Sequence, residues 1–210
     1  VGVGFNAQAG QDGAALGFNA NADGGWSTSI GSHTYASPGA TALGSGAIAS
    51  GQGSLAAGSL ATAGGNSAVA LMRGANASAD RAIAVGRDTI AAGTSAIGIG
   101  NTAKASANDT VAIGTGAQAL GTSSIAIGTG NSVTGNRSGA IGDPTFINAD
   151  DSYAIGNNNT INASAKQSFV LGNGVTVNNA NNVALGNASA DRAAAQVNSA
   201  SVPSVIATLN

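Results

Sequence analysis

Gly86, Gly100, Gly114, Gly128, Gly142 and Gly156 follow one another at intervals of fourteen residues. Each closes a short apolar run, clearest in T-V-A-I-G at Thr110 to Gly114 and S-I-A-I-G at Ser124 to Gly128. Upstream the beat passes through Met72, Gly58, Gly44, Gly31, Gly17 and Gly4 in steps of thirteen or fourteen. Downstream it takes one step of sixteen to Gly172 and one of fourteen to Gly186. A period this short excludes stacked helix pairs, whose repeats need about 33 residues or more. It fits a solenoid in which every coil is two short strands and two turns.

Within each coil the residues one and three before the glycine are mostly large and apolar. They include Ile83 and Val85, Ile97 and Ile99, Val111 and Ile113, Ile125 and Ile127, and, in the position next to the glycine, Ile141, Ile155, Leu171 and Leu185. The residue between them is usually alanine, as at Ala70, Ala84, Ala112 and Ala126. Side chains alternate faces along a strand, so one face carries branched aliphatics and the other methyls. Positions three and five after the glycine repeat the alternation, as in Ala103 and Ala105, Ala117 and Ala119, Val175 and Val177.

Fourteen residues at about 3.3 Å each make a circuit of roughly 46 Å, room for two strands of about five residues and two tight turns. The three-sided helix built on hexapeptides, at about eighteen residues per coil, is too long for this period. The expected fold is all-β, a flattened parallel β-roll of about fourteen coils. At about 4.8 Å per coil the rod is about 65 Å long. The step of sixteen places a two-residue bulge in the Asn-rich stretch 157–166.

The glycines at the coil ends (Gly17, Gly31, Gly44, Gly58, Gly86, Gly100, Gly114, Gly128, Gly142, Gly156, Gly172 and Gly186) read as turn residues needing φ > 0, which glycine adopts cheaply. Met72 then requires a local distortion, or a turn without that need. Asn-rich turns serve the same end and can stack as amide ladders.

Composition supports order without staples. Hydrophobic residues are 43% of the chain, charged residues 8%, and cysteine is absent. Stability must come from stacking, and high charge with low hydrophobicity, the mark of disorder, is missing. A net charge of −2 gives no basic footprint for nucleic acid or acidic lipid. No apolar run reaches the eighteen residues of a membrane span. The chain opens on V-G-V-G, which reads as the tail of an interrupted coil in a longer protein.

A thin roll of this kind encloses little core. One apolar face is therefore expected to pack on sister chains, and the pattern leaves open which. The aliphatic set Ile83 to Leu185 is thus either the core of each roll or the interface between rolls.

The repeated S-x-A-h-G motif, h being apolar, at a fourteen-residue period resembles the YadA-like head of trimeric autotransporter adhesins. The resemblance runs from Val1 to about Asn187. It implies a left-handed β-roll, a homotrimer with two identical chains as partners, and binding to host extracellular matrix proteins or host cell surfaces. It also implies a place on the bacterial cell surface, with an outer-membrane anchor in a C-terminal region outside this chain. Asp191-Arg192 matches the opening of the neck that follows such heads, while A-A-A-Q-V-N-S-A-S-V-P departs from it. The reading is a head over residues 1–187 and a divergent neck or connector over 188–210.

Nothing in the sequence makes an enzyme or a cofactor or metal site. His33 stands alone in S-H-T-Y, and Asp150-Asp151 reads as a solvated turn, with a weak cation contact as its second reading. Trp26, in G-G-W-S, reads first as a plug for a widened coil beside the thirteen-residue steps. Its second reading is an exposed ligand contact, since tryptophan is enriched in binding hot spots. The function expected is a non-catalytic adhesive head, with a rigid spacer in a surface fibre as the alternative.

Overall fold

The computed structural model describes residues 1–189. They form two parallel sheets, one of fourteen strands and one of thirteen, with alternate strands of the chain entering alternate sheets. The chain therefore makes about thirteen turns of a β-solenoid, with a closing strand at Val183–Leu185. The described residues contain no helix. The neck reading for 188–210 lies, but for its first two residues, outside the described residues.

Successive coils pair in the fourteen-residue register: Ile97 with Val111, Ile99 with Ile113, Val111 with Ile125. Gly114 N–H donates to the Ile99 carbonyl of the preceding coil at 2.8 Å, and Ile97 N–H to the Thr110 carbonyl of the following one at 2.8 Å. The ladder thus extends one residue past each strand. Strands are shorter than expected, three residues in most of the first sheet and two in most of the second. Turns take the remainder, and most hold a residue in the left-handed region, near φ +55° at Asp88, Thr102, Ser95 and Asp109 and at φ 65° and 68° at Gly116 and Gly130.

The coil-end glycines have φ between 97° and 147°, except Gly172, which lies outside the positive range. Space matters as much as torsion there. A Cβ on Gly100 would fall 2.5 Å from the Gly114 carbonyl oxygen and 2.7 Å from its carbon. The next coil's backbone occupies the place of a side chain. Met72 meets the same demand by taking φ 84° itself, the local distortion expected of it.

The two-residue insertion sits in the turn between Asn159–Ile161 and Phe169–Leu171. On either side of it the pairing offset becomes sixteen, Ile161 with Val177 and Tyr153 with Phe169.

The interior resolves the two apolar faces. Ala42, Ala56, Ala70, Ala84, Ala112 and Ala126 of the first sheet are fully buried, and so are Ala77, Ala91, Ala105 and Ala119 of the second. Buried apolar groups larger than alanine enter only toward the C-terminal end, among them Val133, Ile147, Ile161 and Val177. The sheets nearly touch: a Cβ on Gly98 would lie 3.0 Å from the Ile90 carbonyl oxygen and 3.0 Å from Thr89 Cγ2. None of Ile83, Val85, Ile97, Ile99, Val111, Ile113, Ile125, Ile127, Ile141, Ile155, Leu171 or Leu185 is buried. The core alternative for these residues is corrected, because so narrow a roll has no room for them inside.

Polar interior side chains tie neighbouring coils. Asn131 Nδ2 donates to the Gly142 carbonyl at 2.8 Å, Thr145 Oγ1 to Gly156 at 2.9 Å and Asn159 Nδ2 to Gly172 at 2.7 Å. Each group lies three residues after one coil-end glycine and binds the carbonyl of the next. Such pairing offsets the cost of burying the polar group.

Replacing Gly100 by alanine should cost about 2–4 kcal/mol, the sum of an unfavourable φ and a backbone clash. Met72→Gly should instead raise the melting temperature by relieving its strained torsion. Thermal unfolding followed by circular dichroism checks both; an unchanged melting temperature for Gly100→Ala would contradict the close approach.

Candidate functional site

With the interior filled by alanine, recognition falls to the outer surfaces. They are of two unlike kinds.

The first sheet turns its aliphatic residues outward. Next to the coil-end position run Leu16, Ile30, Leu43, Leu71, Val85, Ile99, Ile113, Ile127, Ile141, Ile155, Leu171 and Leu185. Two residues earlier the column opens on Ala14, Thr28 and Thr41, continues through Leu55, Val69, Ile83, Ile97, Val111 and Ile125, and then runs Gly139, Tyr153, Phe169 and Val183. Ile141, Ile155 and Leu171 are 46%, 40% and 49% exposed, although they belong to regular strands. Fourteen strands at about 4.8 Å, with two outward columns per strand, make a stripe of about 65 Å by roughly 12 Å. That approaches 800 Å², above what a monomer ordinarily leaves bare and close to one partner's share of a standard interface.

The second sheet presents one outward residue per coil, four after the coil-end position. In order they are Gln8, Asn21, Tyr35, Ile48, Thr62, Asn76, Ile90, Lys104, Gln118, Ser132, Phe146, Thr160 and Thr176. This column is mostly polar, broken by single large apolar groups. Tyr35 donates from its hydroxyl to Asp23 Oδ2 at 3.2 Å. Burial, and then the Asp23 carboxylate, push its phenol above the ordinary range. The column was legible in the sequence, since it lies between the alanines at positions three and five after the glycine, and sequence reasoning passed over it.

The turns make two long edges. One joins asparagine oxygens to backbone N–H groups of the preceding coil: Asp143 N–H to Asn157 at 2.8 Å, Asn157 N–H to Asn173 at 2.7 Å and Asn173 N–H to Asn187 at 3.1 Å. On the other edge Asn108 accepts from Thr94 N–H at 3.0 Å and Asn136 from Thr122 N–H at 2.9 Å. These are the expected ladders, made through backbone N–H more than from amide to amide.

Asp150 and Asp151 continue the same edge. Asp150 accepts from Asn136 N–H at 2.9 Å and faces Lys166 Nζ at 3.3 Å, while Arg137 grips Asp151 at 2.6 and 2.9 Å. The Asn136 N–H, then Lys166, hold Asp150 below the usual carboxylate range, and Arg137 does the same for Asp151. The pair serves turn stacking.

Trp26 does not plug a coil. It occupies a turn at φ 57° and is 79% exposed, so the plug reading is corrected. The thirteen-residue steps are absorbed by shorter turns, as between Tyr35 and Thr41, and leave no widened interior for the indole. His33 is exposed on the opposite edge, edge-on to Phe18 at 5.2 Å, and Phe18 stacks on Phe5 at 5.7 Å. Among the described residues no group of three or more His, Cys, Asp or Glu could hold a metal ion.

A family model described as YadA head domain repeat (2 copies) matches residues 37–61, 49–71, 73–89, 91–117 and 119–143, a span of about half the chain. The chain belongs to the YadA head family. Its coils before residue 37 and after 143 continue the same two sheets, so the roll extends beyond the matched span on both sides. YadA heads are structural adhesin domains of surface-exposed proteins, those of trimeric autotransporter adhesins. No curated protein matches the chain.

Both carboxyls of the Asp150-Asp151 pair have depressed pKa values in the fold. Their stabilisation is therefore full above the unfolded carboxylate pKa, about 3.9, and is lost as pH falls through the lower folded values. Acid titration of the melting temperature should show a decline below about pH 4, smaller in Arg137→Gln. An Arg137→Gln profile identical to that of the parent chain would contradict the pairing.

Proposed function

We propose that the chain is the non-catalytic head of a bacterial surface adhesin that works as a homotrimer and binds host extracellular matrix or host cell surfaces. The observation that carries the reading is the inequality of the two outer faces. An aliphatic stripe of interface size runs the length of one sheet, and a sparse polar column runs along the other. Covering the stripe with sister chains removes it from water at about 25 cal/mol per Å². Two columns per chain from three chains fill a compact triangular core, while the polar sheets and turn edges stay outside.

In this arrangement the aliphatic set Ile83 to Leu185 is the interface, and the coil-end glycines permit the stacking beneath it. Recognition falls to the outward column of the second sheet and to the turn edges, with Trp26 as a ligand contact. Three copies of a repetitive surface offer many weak, equivalent contacts, which raise avidity without a single strong site. Residues 1–187 are the head, left-handed as in its family, and residues 188–210 connect it toward a membrane-anchored stalk.

The turn ladders, which tie runs of neighbouring coils together, favour a second reading, a rigid spacer carrying another head. Solid-phase binding separates the two. The adhesin reading expects the assembled chain to bind collagen, fibronectin or laminin, and Trp26→Ala to weaken that binding with the melting temperature unchanged. Binding to none of them favours the spacer.

Light scattering should give about three times the 19.7 kDa chain mass. Ile113→Asp, on the stripe, should break the assembly, and Ile90→Asp, on the opposite sheet, should leave the mass unchanged. A folded monomer of the parent chain would contradict the reading.

A further inference from the structure

The stripe has a problem that its own regularity creates. Ile99, Ile113, Ile127, Ile141 and Ile155 are five identical residues on successive coils, and Ile83, Ile97, Val111 and Ile125 run beside them. Two such stripes slid past each other by one coil, about 4.8 Å, meet the same surface again. The loss is one coil of contact at each end. Repetitive strands specify register weakly, and something non-repeating must fix it.

Beyond the small or polar residues Ala14, Thr28, Thr41 and Ala57 toward the N-terminal end, the stripe breaks at one place. At Gly139 the inner column loses its side chain, and the next coils supply Tyr153 and Phe169, the stripe's aromatics among the described residues. The Tyr153 ring leans over the gap: a Cβ on Gly139 would lie 2.7 Å from its Cε1 and 2.8 Å from its Cδ1. Beside the ring, Ile125, Ile141, Ile155 and Phe169 enclose an apolar hollow of about 80 Å³. The Tyr153 hydroxyl makes no hydrogen bond within the described residues. A hydroxyl pressed against isoleucine in a slipped register is desolvated without a partner, which costs about 1–3 kcal/mol.

We propose that Gly139, Tyr153 and Phe169 form a key that sets the axial register between copies of this chain. The occupant of the hollow is a second copy. The hollow lies within a stripe whose area matches one partner's share of a standard interface, and it is continuous with that stripe on both sides. An apolar side chain of the neighbouring copy enters the hollow when the Gly139 levels coincide. One coil out of step, the neighbour's aromatic ring meets a filled column and the hollow is left empty. The part played is that of the single polar residue which fixes register in an otherwise uniform coiled coil. The proposal rests on the homotrimer reading above.

Disulfide trapping tests it, since the chain has no cysteine of its own. Two differently tagged species of the full chain, Ile113→Cys and Ile127→Cys, are unfolded, mixed, refolded and oxidised. With the key intact, same-level disulfides should dominate. With Gly139→Ile and Tyr153→Ile in both species, the ratio of mixed to same-level disulfide should rise at least threefold, with circular dichroism reporting an intact roll. A second variant asks for a gain. Moving the key one coil toward the N-terminus in the Ile113→Cys species alone, by Ile125→Gly, Gly139→Tyr, Tyr153→Phe and Phe169→Val, should raise the mixed disulfide toward the share that random pairing gives it. Same-level disulfides with a ratio indifferent to both changes would overturn the key while leaving the assembly standing. No interchain disulfide in any species would overturn the homotrimer reading, and the key with it.

Discussion

The backbone of each coil lies directly against that of the next, and everything else in the molecule accommodates that contact. The carbonyl of one coil-end residue stands where a side chain on the preceding one would be, as Gly114 stands to Gly100. Hydrogen bonds such as Gly114 N–H to Ile99 carbonyl hold the spacing. Glycine at the coil end follows from that contact as much as from its torsion. Met72 shows that the torsion alone can be met by another residue. The interior groups at Asn131, Thr145 and Asn159 and the asparagine edge reinforce the same coil-to-coil contact from inside and outside.

A coil of two very short strands and two turns brings its sheets almost together, and this decides what can be inside. Alanine fits, while isoleucine mostly does not until the last coils, where Ile147 and Ile161 enter. The large aliphatic residues are forced outward on the first sheet. The fold is thus incomplete as a single body: the stacking that makes it possible also creates a surface that water tolerates poorly. Assembly in this account follows from the thinness of the roll. The polar second sheet shows that exposure of the first is no general feature of the surface.

The sequence carried the period, the coil boundaries, the parallel register and the position of the bulge, because glycine spacing and pairing offset are the same quantity. It did not carry the direction of the alternation. Both faces of Thr110 to Gly114 are apolar, so periodicity could not separate inside from outside, and only the closeness of the sheets does. Trp26 was misread for a related reason: a short coil looked like one needing filler, whereas the turns absorb the missing residue. The turn residues near φ +55° were invisible as a class, because Asp, Ser, Arg, Thr and Trp all occupy them and backbone stacking overrides their preferences. The outward column of the second sheet was legible at a fixed offset from each glycine. The Gly139 gap was legible too, as the point where the aliphatic column breaks.

The central claim is that the aliphatic face of the first sheet, and not that of the second, is covered in solution. Isoleucine methyl resonances of the assembled chain, recorded with a soluble paramagnetic agent, test it with an internal control. Ile97, Ile99, Ile113, Ile125 and Ile127 lie on the stripe, and Ile48 and Ile90 lie on the opposite sheet. The account predicts sharp, protected signals for the first set and broadened signals for Ile48 and Ile90. Equal broadening of both sets would contradict it.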